Sequence, residues 1–311
     1  SGGTGTFPFL IGLGFFELDG FNLTQIFMRH PEEEPAVLAA LNRIIDGTNI
    51  LVTYNGKSFD VPLINTRHKL HGMSPLFGKD TFTHIDMLPM ARKIWKSRLP
   101  SRTLGDMERQ ILDIYRTDEE VPGWMIPDMY FDYLSTGDAR PLSRVFYHNA
   151  IDIISLALLF NYTNRILSHP LHHDIDNIDL ASIARIYESQ NKLDQAIVLY
   201  EAALEQGLPA EIYIQTALRY AHIHKQNKAW EQAILFWEKA AGAGSIDAAI
   251  ELAKYYEHIA GDISDALNWT EKAAGHLQNQ HISNRGAWSA HFSNVEIQKR
   301  LERLKRKTNS T

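Results

Sequence analysis

Two acidic stretches about ninety residues apart carry the residue types from which a hydrolytic centre is built. The first, Asn55-Gly-Lys-Ser-Phe59-Asp60, follows the apolar run 50–54. The second, Tyr147-His148-Asn-Ala-Ile-Asp152, lies inside a long helical run. Hydrolysis of a phosphodiester by a pair of divalent cations needs carboxylates from separate elements converging on one point, so that both the attacking and the leaving oxygen are stabilised. Hard cations such as Mg²⁺ take oxygen ligands, and Asp60 and Asp152 are the residues expected to supply them. His148 and Asp152 are four residues apart, so a helix sets them on one face, one turn apart, while Tyr147 points elsewhere. An unperturbed imidazole, with a pKa of about 6.5, suits a general base at neutral pH.

The surrounding elements must deliver these side chains to one place. Runs at 9–16 and 23–28, joined by Glu-Leu-Asp-Gly-Phe-Asn, predict a β-hairpin. Pro31-Glu-Glu-Glu-Pro35 starts a helix with Pro and acids in its first turn, running through 36–45. Residues 50–54 read as a short strand. The apolar spacing of Phe59, Val61, Leu63, Ile64 and Leu70 predicts a helix over 59–70, with Asp60 in its first turn. A last short strand at 82–85 precedes Asp86, a candidate for a water-mediated metal contact, for orienting Arg92, or for the N-cap of the next helix. Helices near 87–97, 103–112 and 127–135 follow. The longest helix, opened by Gly137-Asp138-Ala-Arg-Pro141 with Asp138 as its expected cap, runs to about Ser168.

The two acidic stretches resemble the second and third motifs of the DEDD-type 3′–5′ exonucleases on the ribonuclease H-like fold. Gly5-Thr-Phe-Pro-Phe-Leu-Ile-Gly-Leu-Gly14, His84-Ile-Asp86-Met-Leu88 and Ile126-Pro-Asp128-Met-Tyr130-Phe131 are similar to the YprB-type ribonuclease H-like domain, over roughly residues 1–169. The resemblance implies an α/β domain with a mixed sheet and flanking helices, two Mg²⁺ or Mn²⁺ ions, and a DNA or RNA substrate. It also implies that Phe59 packs near the terminal base of the substrate and that Asn55 fixes the loop. These enzymes place either a Tyr four residues or a His five residues before the last Asp. Here His148 takes the four-residue slot and Tyr147 the five-residue slot, and geometry favours His148 as the base. The family also opens on an Asp-x-Glu strand, whereas this chain opens with Ser-Gly-Gly-Thr-Gly-Thr and no initiator Met. The expectation is an N-terminally truncated piece in which 9–16 and 50–54 flank an unfilled slot, with at best trace activity. Glu17-x-Asp19 is a weak substitute because it falls where the hairpin turns.

Composition sets the bounds. A chain of 311 residues with 44% hydrophobic content holds two compact domains. No apolar run looks long enough to cross a bilayer. Zero cysteines exclude disulfides and thiolate metal sites and fit a reducing compartment, with the cytoplasm as the default. A net charge of −6 is awkward for a nucleic-acid enzyme, since phosphate binding relies on Lys and Arg. Between 67 and 102, however, Arg67, Lys69, Lys79, Arg92, Lys93, Lys96, Arg98 and Arg102 face two Asp, and Arg67 and Lys69 are candidate substrate contacts. The basic tail at 299–307 reads as a solvated helix face.

The second half repeats at an offset of 33 to 37 residues: Ala184-x2-Tyr187 with Ala196-x3-Tyr200-x2-Ala203, Ala217-x2-Tyr220 with Ala233-x3-Trp237-x2-Ala240, and Ala253-x2-Tyr256 with Ala266-x3-Thr270-x2-Ala273. Small residues recur where helices cross closely and large ones where they fill grooves, a pattern that resembles tetratricopeptide repeats. The expected organisation is a nuclease-like domain at 1–169, repeats at 178–278 that offer a protein partner a concave face, and a capping helix with basic tail at 279–311. His172 and His173 read as solvated linker residues. The alternative to an exonuclease is a scaffold whose nuclease-like domain only binds nucleic acid or a partner.

Overall fold

The computed structural model describes residues 5–18, 20–78, 82–116, 121–283 and 294–309; Asp19 and Lys79 lie outside the described residues. The chain divides into two compact units, Ser1–His172 and His173–Thr311.

In the first unit β1 (Leu10–Glu17) and β2 (Gly20–Phe27) form an antiparallel hairpin whose register runs from Leu10↔Phe27 to Glu17↔Gly20. Glu17 is spent at the turn, accepting a 2.6 Å hydrogen bond from the Asn22 side chain. Then come α1 (Glu34–Ile44), β3 (Ile50–Thr53), α2 (Asp60–Leu70) and β4 (Thr83–Asp86). β3 and β4 are parallel and need a crossover, which α2 supplies. Four more helices follow: α3 (Met87–Trp95), α4 (Leu104–Ile111), α5 (Ile126–Thr136) and α6 (Ser143–Ser168). The expected cap role of Asp138 is corrected: Leu142 precedes α6 with no side-chain cap, and Asp138 instead accepts from Arg140 N at 3.0 Å in the 3₁₀ turn Arg140–Leu142 ahead of it. The sheet is present as two two-stranded pieces, consistent with the expectation that 9–16 and 50–54 are not neighbouring strands. Among the described residues β1 pairs only with β2 and β3 only with β4, because no described strand carries hydrogen bonds from one pair to the other.

Alternation along β1 decides which helices it meets. Ile11, Leu13 and Phe15 join Ile26 of β2 against Leu41 of α1, Ile45 and Ile64 of α2. The intervening Gly12 and Gly14 face α6. A Cβ on Gly12 would stand 2.3 Å from Asn149 Oδ1, and one on Gly14 2.8 Å from Ile153 Cγ2. Glycine is therefore needed at both positions for α6 to lie on the strand. Gln25 of β2 ties the same helix down, donating to Phe146 O at 2.8 Å and Asn149 Oδ1 at 2.9 Å. Tyr130 of α5 stacks on Phe9 at 4.1 Å and donates to Met28 O at 3.0 Å, closing the other end of the hairpin. Contrary to the sequence expectation, one segment, Arg140–Ser168, is long and apolar enough to cross a membrane by length and composition. It packs on β1 and β2 and makes polar contacts through Asn149 and Asp152.

The second unit contains α7 (Asn177–Ser189), α8 (Leu193–Gln206), α9 (Ala210–Gln226), α10 (Trp230–Gly242), α11 (Ile246–Tyr255), α12 (Ile263–Ser283) and α13 (Asn294–Thr308). Short connections make α7–α8, α9–α10 and α11–α12 three packed helix pairs. All nine repeated alanines, Ala184, Ala196, Ala203, Ala217, Ala233, Ala240, Ala253, Ala266 and Ala273, are 0% exposed, so each sits inside the packed helices. Tyr200, Trp237 and Thr270 are buried beside them, whereas Tyr187 and Tyr256 are only half-buried. A π-helical turn, Tyr256–Ala260, extends α11 and ends at Gly261 in the left-handed region (φ 73°). It presents the buried Glu257 to α13, where Arg300, Arg303 and Lys307 contact the carboxylate at 2.7, 2.8 and 2.8 Å. Burial by itself would raise the pKa of Glu257, but Lys307 and the two arginines bring it below the usual carboxylate value. The basic tail is thus corrected from a solvated face to a docked helix, which also buries Ile297, Leu301 and Leu304.

Candidate active site

Asp60 opens α2, where the helix dipole favours a negative charge. The loop before it is shaped by its own sequence. Asn55 adopts the left-handed conformation (φ 63°) that Asn tolerates, and a Cβ on Gly56 would strike Thr53 at 2.5 Å. Asp86 holds this loop from β4: its Oδ1 accepts from Asn55 N at 2.7 Å, and its Oδ2 accepts from Lys57 N at 3.1 Å. The same carboxylate caps α3 through Leu88 N at 3.1 Å. Of the readings open for Asp86, the helix cap is the one the structure displays.

Two further groups set the electrostatics at Asp60. His84 lies on β4 beside Asp86, its Nε2 2.8 Å from Thr53 Oγ1. The Asp60 side chain reaches solvent, yet partial desolvation is the largest cause of a raised pKa; its backbone contact lowers the pKa, the negative Asp86 raises it further, and His84 lowers it. Desolvation and then Lys57 lower the pKa of His84, while Asp86 and Asp60 raise it. Next to Asp60 stands Phe59, 62% exposed and so not packed in the core.

On α6, His148 Nε2 lies 3.4 Å from Asp152 Oδ2, as the four-residue spacing requires. Sequence reasoning did not foresee what faces them. Arg116 donates from Nη2 to Asp152 Oδ1 at 2.5 Å, and its Nη1 lies 3.2 Å from His148 Nδ1. Its guanidinium is also gripped two-pronged by Glu108 of α4, at 2.5 Å from Nε and 2.6 Å from Nη2. Burial works against the Arg116 charge, but Glu108 and Asp152 more than offset it and raise its pKa. Neither Arg116 nor Glu108 belongs to a local motif. The available signal was a Glu set among the apolar residues of an amphipathic helix.

The other expected site residues divide. Asn55 fixes the loop through its backbone N–H. Lys69 is exposed, as are Lys57, Arg92, Lys93 and Lys96. Arg67 is committed inside the fold, paired two-pronged with the buried Glu34, which also binds His71 Nε2 at 2.7 Å. That ion pair uses the guanidinium that the sequence reading had assigned to substrate. Tyr147 is half-buried.

Asp60 and Asp152 offer the oxygen donors a hard cation prefers. As arranged, however, Asp60 stands with His84 and Asp86, while Asp152 stands with His148, Arg116 and Glu108. Among the described residues no three His, Asp or Glu side chains gather to hold a metal ion. With a guanidinium on Asp152 Oδ1, these side chains do not compose a metal site in this arrangement.

A family model described as the RNase_H superfamily matches residues 1–164. The chain is also similar to the uncharacterized protein YprB of Bacillus subtilis (strain 168), at 31% identity over 316 residues, covering 99% of this chain and 72% of that protein. The hairpin, the crossover α2 that carries Asp60 and the long α6 that carries Asp152 all lie inside the matched segment, and the chain belongs to the ribonuclease H superfamily.

Proposed function

We propose that the protein is a 3′–5′ exonuclease acting on single-stranded or frayed DNA or RNA. Superfamily membership supports the coarser reading, a nuclease acting on nucleic acid. The observation that carries the finer one is the His148–Asp152 pair, one turn apart on a helix seated against β1 by Gly12 and Gly14. Asp60 and Asp152 are the essential carboxylates, and His148 is the general base for the attacking water. Phe59, exposed beside Asp60, is the stacking surface for the terminal base, where an aromatic face contributes about 1–3 kcal/mol per base. Asn55 holds the loop, and Lys69 together with the exposed cations of α3 meets phosphates. Ribonuclease H-like nucleases generally use divalent metal ions, and dependence on Mg²⁺ or Mn²⁺ belongs to the proposal. The three helix pairs serve as tetratricopeptide-like repeats that recruit a protein partner, and the cytoplasm is the proposed compartment.

The test is an exonuclease assay on 3′- and 5′-labelled DNA and RNA oligomers with Mg²⁺ or Mn²⁺. Stepwise shortening from the 3′ end is expected. Internal cutting, or an oligomer left intact even by a chain extended upstream through an Asp-x-Glu strand, sinks the exonuclease reading. One observation favours a second reading, a nucleic-acid-binding scaffold without catalysis: the guanidinium of Arg116 sits on Asp152. Tight oligomer binding, with no cleavage and no effect of Asp152→Asn on that binding, would select the scaffold.

A further inference from the structure

We propose that Arg116 is the resident cation of the Asp152–His148 pair and closes it to divalent ions until its guanidinium is displaced. The inference rests on the proposed reading of Asp152 as a metal-binding carboxylate.

The argument starts from the anchor. Glu108 is buried, its side chain 1% exposed, and an unpaired carboxylate there would be costly. It takes both Nε and Nη2 of Arg116, which fixes the plane of the guanidinium and aims the remaining N–H groups at α6. Nη2 then meets Asp152 Oδ1 at 2.5 Å, and Nη1 stands 3.2 Å from His148 Nδ1. Arginine keeps its protons and has no acceptor, so the Nδ1 contact makes Nδ1 the accepting nitrogen. The single proton of a neutral His148 ring is then on Nε2, which faces Asp152 Oδ2 at 3.4 Å.

Two properties of the closed state follow. The lone pair with which His148 would accept a proton points at Arg116, and the Asp152 oxygen with which a metal would be held carries a guanidinium hydrogen bond. One guanidinium therefore blocks both proposed duties. Opening needs no unfolding, because the Asp152 side chain is 36% exposed and can be approached from solvent. The Asp152 side chain can turn from Arg116 towards solvent while Glu108 keeps hold of the guanidinium. A divalent ion must thus outcompete a bound monovalent cation, and its apparent affinity is weakened by whatever the Arg116–Asp152 contact contributes.

The experiment measures Mn²⁺ binding to the whole chain by titration calorimetry, without nucleic acid. Arg116→Met alone leaves Glu108 buried without a counter-ion, so it is paired with Glu108→Gln, and circular dichroism checks the fold of both variants. The expected result is Mn²⁺ binding tighter by roughly tenfold or more in the natively folded variants, since a contacting opposite charge moves such equilibria by about 1–3 log units. Adding Asp152→Asn should cancel the gain. Unchanged or weaker binding in the folded double variant overturns the proposal. If Asp152→Asn weakens Mn²⁺ binding in the wild-type background while the Arg116 variants fail to tighten it, the role of Arg116 falls and the nuclease reading stands. If Asp152→Asn changes neither Mn²⁺ binding nor cleavage, the assignment of Asp152 falls and this inference falls with it.

Discussion

Asp60 and Asp152 are the same residue placed in opposite electrostatic surroundings. Asp60 has a carboxylate for a neighbour, Asp86, whose own oxygens are occupied by backbone N–H groups of the 55–57 loop and of α3. Its charge is disfavoured by desolvation and by Asp86, and a cation arriving there relieves both. Asp152 instead has an arginine, anchored from behind by the buried Glu108. One carboxylate stands ready for a positive charge and the other already has one. Identical residue types in a candidate site therefore do not imply equivalent readiness, and the arginine that makes the difference is 36 residues from Asp152 in sequence.

The largest expected effects are on cleavage. Asp60→Asn and Asp152→Asn should each remove measurable exonuclease activity, and His148→Ala should slow it by about 10²–10⁴-fold, the usual loss with a general base. Single-turnover rates on a labelled oligomer provide the check. Activity that survives Asp60→Asn would break the comparison, because Asp60 would then be a helix-terminal acid and no part of the site. Next in size is the anchor. Glu108→Ala removes the two-pronged anchor of the partly buried Arg116 and should cost about 3–5 kcal/mol in urea unfolding. A cost below about 1 kcal/mol would mean that the guanidinium is already solvated and that the two sites differ less than their contacts indicate.

Much of the framework was legible because it depends on local periodicity. The run 9–16 became Leu10–Glu17, and Asp60 fell in the first turn of α2 because Phe59, Val61, Leu63 and Ile64 follow helical spacing directly after a strand. The repeated alanines were readable for the same reason, since a small residue at a fixed offset marks a close crossing wherever it recurs. Arg116, Glu108 and the Glu34–Arg67–His71 cluster were not readable, because tertiary packing joins residues whose separations carry no pattern. The exposure of Phe59 was equally hidden, since its type suits a core as well as a surface. The legible half has its own test. Ala233→Leu should overpack a position that is 0% exposed and cost about 1–3 kcal/mol by chemical denaturation. If the substitution is tolerated, the helix pairs are not held at the alanines.

A smaller effect separates the two aspartates directly. Asp152→Asn removes the charge partner of Arg116 on a partly exposed side chain and should destabilise by roughly 1 kcal/mol. Asp60→Asn removes a charge that its surroundings disfavour and should leave stability unchanged or slightly improved. Paired urea titrations at neutral pH compare the signs. Two losses of equal size would mean that the loop around Asp60 uses its carboxylate in folding as much as α6 uses Asp152.

The smallest effect is the pH dependence behind that difference in sign. The pKa of Asp60 lies above its ordinary 3.8 in the folded protein, mainly through desolvation and with a contribution from Asp86. Just above pH 3.8 the unfolded chain has therefore begun to lose this proton while the folded chain still holds it. The folded state binds more protons in that window, so the contribution of Asp60 to stability falls as pH rises from 3.8 through the raised folded value, then stays flat. Asp60→Asn has no such proton to lose. Subtracting its stability from that of wild type across an acid-to-neutral series should give a curve that starts near zero at the acid end, descends through the window and levels off. A curve that ascends instead would mean that the carboxylate is favoured when charged, with a cationic partner outweighing both Asp86 and burial.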